Sequence, residues 1–481
     1  MKQKFILILI FTLIITGGAA QNNQVLYFMN LPQNHLVNPA LKPINPLYIG
    51  LPVITGIYVN ETNNYFNFSD VFTEGVEISK STLAFLDPDF DRDRFLGNLK
   101  KLNYAEPKAS VQLLGLGFTA GDGFYFFLDI IDNTVVNLVA PRDYIRMAFL
   151  GNEQFKGQTI DLSDMRADFN YYREIGIGTS KNINPQLRFG AKAKLLFGLA
   201  GASFQNYNLK LTVNDDYTNT LDANMAIDVS GPVIFYTDSE NNIEDAELDQ
   251  NINAGKFLTN MSNTGFGLDL GAEYQVNDNV ILSAAVTDIG FVKWKSDLSN
   301  LEAFDNNIEL SGLDIEDIYE GRATIDDVYE NMKDSLKNAF ILAGTDKRFT
   351  SKLPVGLTLG GKYVLDDRFS FGLLSYSRFT GQQIKETVTL SANMNIGNKV
   401  STTLAYSICN SNYSNLGLGI AFRASVAQFY FLCDRIPFSW KRAGVGSESF
   451  LLPSNWSTVH ARIGINLIFG NKKLESEEIY R

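Results

Sequence analysis

The chain has 481 residues, 45% of them hydrophobic and 12% aromatic, with 38 Gly, 13 Pro and 20% charged residues. That composition is too apolar for a disordered chain and too charged for a bundle of membrane helices. A net charge of −12 argues against a nucleic-acid partner, and two His (His35, His460) with two Cys (Cys409, Cys433) leave almost nothing from which to build a His/Cys metal centre or a histidine-based catalytic cluster.

In chain order, residues 1–20 have the anatomy of a secretory leader: Lys2 and Lys4 at the basic end, an apolar run from Phe5 to Ile15, and the small residues Gly18-Ala19-Ala20 at the expected cleavage site. The run is too short for a membrane span, which needs ~20 apolar residues. No Cys follows it, so a lipoprotein is not expected, and losing Lys2 and Lys4 takes the net charge from −12 to −14. No later segment offers a ~20-residue apolar run, so a mature chain that crosses a membrane must do so as a closed β-barrel.

From Tyr48 onward the dominant period is two. In 386–396, Val388, Leu390, Ala392, Met394 and Ile396 alternate with Thr387, Thr389, Ser391, Asn393 and Asn395. Similar alternation runs through 187–199, 265–275 and 459–469. Such runs exceed the ~5–6 residues of an average strand and match the ~9–11 of a tilted membrane-spanning one. The alternative is a soluble sandwich or propeller, whose strands also alternate. Against it stand the polar face, rich in Gly, Ser, Thr and Asn as a crowded lumen would be, and the spacing of the connections. Tight turns are expected at 120–122, 182–185, 215–218, 276–278, 366–367, 397–398 and 424–425. The other rim is expected to carry long loops at 133–169, 230–264, 290–352 and 436–456, with shorter ones near 200–202, 379–385 and 410–413. That asymmetry is the pattern of an outer-membrane barrel, with the short turns in the periplasm. The count is sixteen strands within a range of 14–18, a hairpin at 63–86 being the route to the upper end.

Between the strands, 214–264 carries ten acidic residues and one basic one, Lys256. It reads as a solvated outer loop or as a divalent-cation-bridged contact with lipopolysaccharide. Ile325, Val328, Met332 and Leu336 fall at helical spacing, as a helix over the barrel mouth or one that docks a partner. Residues 90–102 read as another short helix. Ahead of it, Asp87, Asp89, Asp91 and Asp93 resemble the start of a calcium loop, but Arg92 and Asn98 stand where an EF-hand needs Gly and Glu, and helix-capping carboxylates account for them better.

The remaining motifs have plainer readings. Gly356, Gly361 and Lys362 match the glycines and lysine of a phosphate loop, but Tyr363 replaces its Ser or Thr and the segment alternates as a strand. The glycine runs at Gly115 and Gly265 read as strand glycines that ease bending. Cys409 and Cys433, on strands two apart, would be ~9.6 Å apart, beyond the ~7 Å limit for a disulfide, and read as buried free thiols. His460 is the one histidine in a strand and has no evident catalytic partner, so no enzyme site, metal or cofactor is expected. The lumen-facing register carries Arg188, Lys192, Lys194, Asp269, Glu273, Lys362, Arg423, His460 and Arg462, either pairing with one another to stabilise the interior or lining a route for an anionic or amphipathic solute.

The start after the leader reads QNNQVLYFMNLPQNHLVNPALKPINPLYIGLPV. Its Asn38-Pro39-Ala40-Leu41 segment resembles the start of FadL-like long-chain fatty-acid transporter barrels and is similar to Bacteroidota barrels associated with type IX secretion. The chain as a whole resembles an uncharacterised Bacteroidota family of outer-membrane barrels, a domain of unknown function, with the same Leu-Tyr-Phe-Met-Asn opening. The resemblance implies a plug-like segment at 21–46 containing Asn38, Pro39 and Ala40, a transmembrane antiparallel barrel at 47–469 and a charged tail at 470–481. The tail departs from barrels that end on an aromatic. It further implies a protein of the Gram-negative outer membrane, surrounded by lipid and lipopolysaccharide. The function expected is a passive transporter or channel for a small hydrophobic or amphipathic molecule. The alternative is a non-transporting barrel that anchors a secretion or cell-surface complex through a protein partner.

Overall fold

The structure, a computed structural model, describes residues 23–65, 92–310 and 341–470 apart from short gaps at 122, 240, 242, 250, 345, 381–383, 398, 410–411, 437–439, 446–447 and 454–457. The leader, Asp87, Asp89 and Asp91, the pattern from Ile325 to Leu336, most of the 63–86 segment and the tail beyond Gly470 lie outside the described residues. Among those described, no helix is long and apolar enough to cross a membrane.

The alternating runs form one antiparallel sheet that closes on itself. Its strands are β1 (Leu47–Gly50 and Gly56–Thr62), β2 (Leu102–Ala105 and Lys108–Ala120), β3 (Phe124–Pro141), β4 (Arg166–Asn182), β5 (Leu187–Val213), β6 (Asn263–Gln275) and β7 (Val280–Trp294). They continue as β8 (Phe349–Lys352 and Val355–Val364), β9 (Phe369–Phe379), β10 (Ile384–Ile396), β11 (Val400–Cys409), β12 (Asn412–Ala424), β13 (Ala427–Cys433) and β14 (Thr458–Phe469). Each pairs with the next, and β14 returns to β1 through Leu47↔Phe469 and Ile57↔Ile463, which makes a closed barrel of 14 strands. Closure leaves no edge with unpaired backbone groups, the condition for a sheet to stand in hydrocarbon.

The outer surface suits that setting. Ile177, Leu195, Leu282, Leu359, Leu373, Leu390, Leu404 and Ile463 point outward from mid-strand and are exposed, Leu390 by 58% and Ile177 by 61%. Toward the short-turn rim the outward residues become aromatic: Phe118, Phe189, Tyr274, Tyr363, Phe369, Phe371, Phe422 and Phe429. An aliphatic belt bounded by an aromatic girdle is the exterior of a membrane barrel.

Fourteen strands replace the expected sixteen because the turn at 200–202 does not form. β5 is a single strand of 27 residues, roughly 90 Å long at ~3.3 Å per residue. The glycine in the expected turn, Gly201, and Gly198 just before it lie against the buried ring of Trp294, and a side chain at either would collide with it. The first half of β5 pairs with β6 in the barrel. The second half rises beyond the rim and pairs with Asn219–Ser230, which pairs with Leu298–Leu310. This outer sheet has its own apolar core, including Met147, Phe155, Leu209, Leu211, Leu221 and Met225. The 215–218 turn is at its far tip and not on the short-turn rim. The loop expected at 133–169 is also shorter, since β3 runs to Pro141 and a helix follows at Arg142–Leu150. The acidic segment contains a surface hairpin, Val233–Thr237 with Ile243–Leu248. A short helix forms at Arg92–Asn98, and Cys409 and Cys433 are buried thiols that form no disulfide with each other.

Two outcomes are expected in detergent. The folded protein should migrate faster unboiled than boiled, as a closed barrel does. Leu390→Arg, a charge in the mid-strand lipid belt, should cost ~2–4 kcal/mol and shrink the fast-migrating fraction.

Candidate functional site

β1 begins at the short-turn rim, so the residues before it must approach from that end. They turn up into the lumen. Gln24–Phe28 forms a short helix and Pro32–Leu36 a 3₁₀ turn, and nearly all residues from 23 to 41 are buried. The apolar run Val25-Leu26-Tyr27-Phe28-Met29 with Leu31, Val37 and Leu41 packs on Leu374, Ala405, Ala421, Tyr430 and Leu432 of β9 and β11–β13.

Inward-facing glycines make the room. Gly360 lies against Tyr27, Gly372 against Phe28, Gly419 against Val25 and Met29, Gly190 against the Pro39 carbonyl and Gly271 against the Asn38 side chain. Gly115 and Gly117 face Tyr48, and Gly265 faces the Phe291 carbonyl, so these strand glycines serve close packing.

Polar contacts fix the two ends of the segment. The helix at Gln24 starts without a cap of its own, and the Asp434 carboxylate, just past β13, accepts from the backbone N–H of Gln24 at 3.0 Å and of Val25 at 2.9 Å. His460 Nε2 lies 3.1 Å from the same carboxylate, while its Nδ1 accepts from the Asp434 backbone N–H at 3.2 Å. Arg462 Nε donates to Asn23 Oδ1 at 3.1 Å. Near the exit, Gln33 Nε2 donates to Asn466 Oδ1 at 2.6 Å and Arg423 Nη1 to Asn45 Oδ1 at 2.9 Å. The Asn38 Oδ1 accepts from the Ala40 N–H at 2.9 Å, closing a local turn at Asn-Pro-Ala.

On the opposite wall the contact is ionic. His35, stacked on Phe127 at 4.3 Å, faces oxygen from both ring nitrogens: Nδ1 is 2.6 Å from the Pro32 carbonyl and Nε2 is 2.7 Å from Asp129 Oδ2. From Asp129 a chain of buried charges crosses β3 to β7: Lys192 is 3.2 Å from Asp129 and 2.7 Å from Glu174. Lys194 reaches Glu174 at 3.8 Å, Asp269 at 2.8 Å and Asp288 at 2.5 Å. Asp288 joins because β7 bulges opposite Asp269: it takes a left-handed φ of 61°, and its N–H donates to Asp269 Oδ1 at 2.7 Å.

The charges border a small cavity in the lumen. Asn23, Leu36 and Val37 of the N-terminal segment bound it on one side. Its walls mix Lys108, Lys194, Asp288 and Arg462 with Tyr58, Ile131, Tyr172 and Tyr376.

Of the residues singled out in the sequence, Lys192, Lys194 and Asp269 meet in the ionic chain, and His460 and Arg462 meet at the start of the segment. The others do not join them. Arg188 is near the short-turn rim, donating to Ser180 Oγ at 3.3 Å, and Lys362 Nζ stands 5.6 Å from the Tyr27 ring centre. Glu273 is placed by its register opposite Arg188. The sequence reading missed His35, Asp129, Glu174, Asp288 and Asp434. Parity could have found Asp129, had β3 not placed Tyr125, Phe127 and Ile131 on its lumen face and so blurred the alternation.

The model of a family of unknown function, DUF5723, matches residues 39–434, and the chain belongs to that family. A search of curated proteins finds no match. Solved structures similar to it include the Pseudomonas putida toluene transporter TodX (11% identity, 94% of each chain covered, TM-score 0.39). Others are the Ralstonia pickettii toluene transporter TbuX (10%, 95% of this chain and 97% of that one, 0.41) and a Pseudomonas aeruginosa FadL homologue (11%, 94% and 95%, 0.39).

Two substitutions test the anchoring. Asp434→Ala strips two buried N–H groups of their acceptor, a loss of ~1–3 kcal/mol, and should make residues 23–41 more susceptible to protease while the barrel keeps its heat-modifiable mobility. Lys192→Met removes the cation shared by Asp129 and Glu174, leaving Asp129 to His35 and Glu174 to the more distant Lys194, and should destabilise the barrel by ~3–5 kcal/mol in denaturant titrations.

Proposed function

We propose that the chain is a plugged barrel of the Gram-negative outer membrane, exported by a cleaved leader, that passes a small amphipathic solute. The observation that carries this is the cavity: open space inside the barrel whose boundary on one side is the N-terminal segment itself. A solute there touches Leu36, Val37 and Asn23 directly, so its binding and the position of the segment are linked. The lining supports an amphipathic solute over a purely hydrophobic one. Lys108, Lys194, Asp288 and Arg462 would be left without water by an oil-like guest, whereas the tyrosines and Ile131 offer apolar contact to part of a mixed one. The segment is held at its ends by hydrogen bonds and ion pairs that water can replace, which suits a stopper that moves.

A second reading, a barrel that anchors a cell-surface complex, draws on the outer sheet. β5 carries it well beyond the rim, and its acidic hairpin is a surface that a protein or cation-bridged lipopolysaccharide could meet. Deleting 233–248 would then abolish partner co-purification and leave permeability as it was.

Deletion of 23–46 tests the channel. In liposomes the truncated barrel should release a sugar-sized solute about tenfold faster or more than the full chain. An unchanged rate from a truncated protein that still shows the heat-dependent mobility shift would rule out the plug.

A further inference from the structure

One buried charge cluster takes no part in holding the N-terminal segment. Arg378 of β9 and Lys385 of β10 stand directly opposite each other in the strand pair, Lys385 buried and Arg378 13% exposed. Two cations so placed repel. Between them reaches Glu106 of the β2 interruption, 3.1 Å from Arg378 Nη1 and 2.7 Å from Lys385 Nζ. The Glu106 backbone N–H is fixed to the Thr62 carbonyl of β1 at 2.9 Å, and Lys385 Nζ sits 3.4 Å from the centre of the Tyr104 ring.

β2 and β9 are half the circuit apart. In a round barrel of this size, opposite walls would stand ~28 Å from each other at ~4.8 Å per strand and ~40° tilt. Direct ion pairs between them therefore require a lumen pinched at this level. The pinch lies on the outer side of the cavity: Lys108 and Tyr376 line the cavity, and Glu106 and Arg378 come two residues farther from the short-turn rim on the same strands.

We propose that Glu106, Arg378 and Lys385 form the outer gate of the lumen, opened by the anionic group of an entering solute. Simple separation would leave the two cations facing each other, which is strongly unfavourable. A solute carboxylate can take the place of Glu106, forked onto Arg378. The released Glu106 then has Lys108 two residues along, which makes no ion pair among the described residues. A neutral solute offers no such exchange. The gate gives the proposed channel its selectivity and in that sense rests on that reading, but its test does not depend on transport.

The test reads access to the cavity. Cys409 and Cys433 are replaced by Ser, and Ser110, a cavity-lining residue bonded to Asn133 at 2.7 Å, becomes the one thiol through Ser110→Cys. A small neutral methanethiosulfonate is added to the reconstituted full chain. Glu106→Gln should speed labelling about tenfold, and Glu106→Arg combined with Arg378→Glu and Lys385→Glu, which restores the pairing with signs reversed, should slow it again. Sodium gluconate should speed labelling of the parent over sodium chloride at equal ionic strength, and should not do so in Glu106→Gln. Equal labelling of parent and Glu106→Gln would overturn the gate, and equal rates in gluconate and chloride would overturn its opening by an anion. If Glu106→Gln does not fold, Lys385→Met is read the same way. A plug deletion that fails to leak would sink the channel and leave these rates as they are.

Discussion

The rest of the structure depends on the pairing of β14 with β1. In hydrocarbon an unpaired backbone N–H or C=O costs several kcal/mol, so a sheet of this length is tolerable only if its last strand returns to its first. The Leu47↔Phe469 register sets where the return happens, at the short-turn rim. It thereby places residues 23–46 at the same rim, at the mouth of an enclosed space. Twenty-odd residues with an apolar run as dense as VLYFM have one nearby place to be out of water, and that is the lumen.

The lumen receives the segment in two different ways. On the side of β8 to β13, glycines and small polar residues leave hollows into which Val25, Tyr27, Phe28 and Met29 fit, a contact made of shape and apolar area. On the side of β3 to β7, His35 meets a wall of charge through Asp129. Along that wall each lysine is shared by two carboxylates, Asp129 and Glu174 on Lys192, and Asp269 and Asp288 on Lys194, and it is this direct contact with a cation that lets so many carboxylates sit inside a barrel. An interior of this kind is specific about position, because each ion needs its own partner, and it leaves one face of the segment against open space. Anchors at the ends and a cavity along the side distinguish this segment from a core that is filled throughout.

Strand periodicity made much of the site legible. Lys192, Lys194, Asp269, His460 and Arg462 stand in the inward register, and the structure places them inward. What escaped are residues whose direction is not set by parity. Asp288 turns inward because the chain bulges there. Asp434 lies past the end of β13. Glu106 precedes a proline at a break in β2, and His35 is in no strand at all. The misread turn at 200–202 has the same origin: glycine ends a strand when nothing occupies the space above it, and continues one when an indole does.

The sequence by itself determined the class of the fold, the direction most strand residues face and the rim on which most of the tight turns gather, because these follow from the local geometry of a pleated chain, two residues per repeat. The tertiary structure alone decided the strand number, the outer sheet, the ion pairs and the pinch between Glu106 and Arg378. Those depend on which residues distant in the chain come within 3 or 4 Å of each other, and that distance is fixed by closure and register around the whole barrel, which no single strand carries.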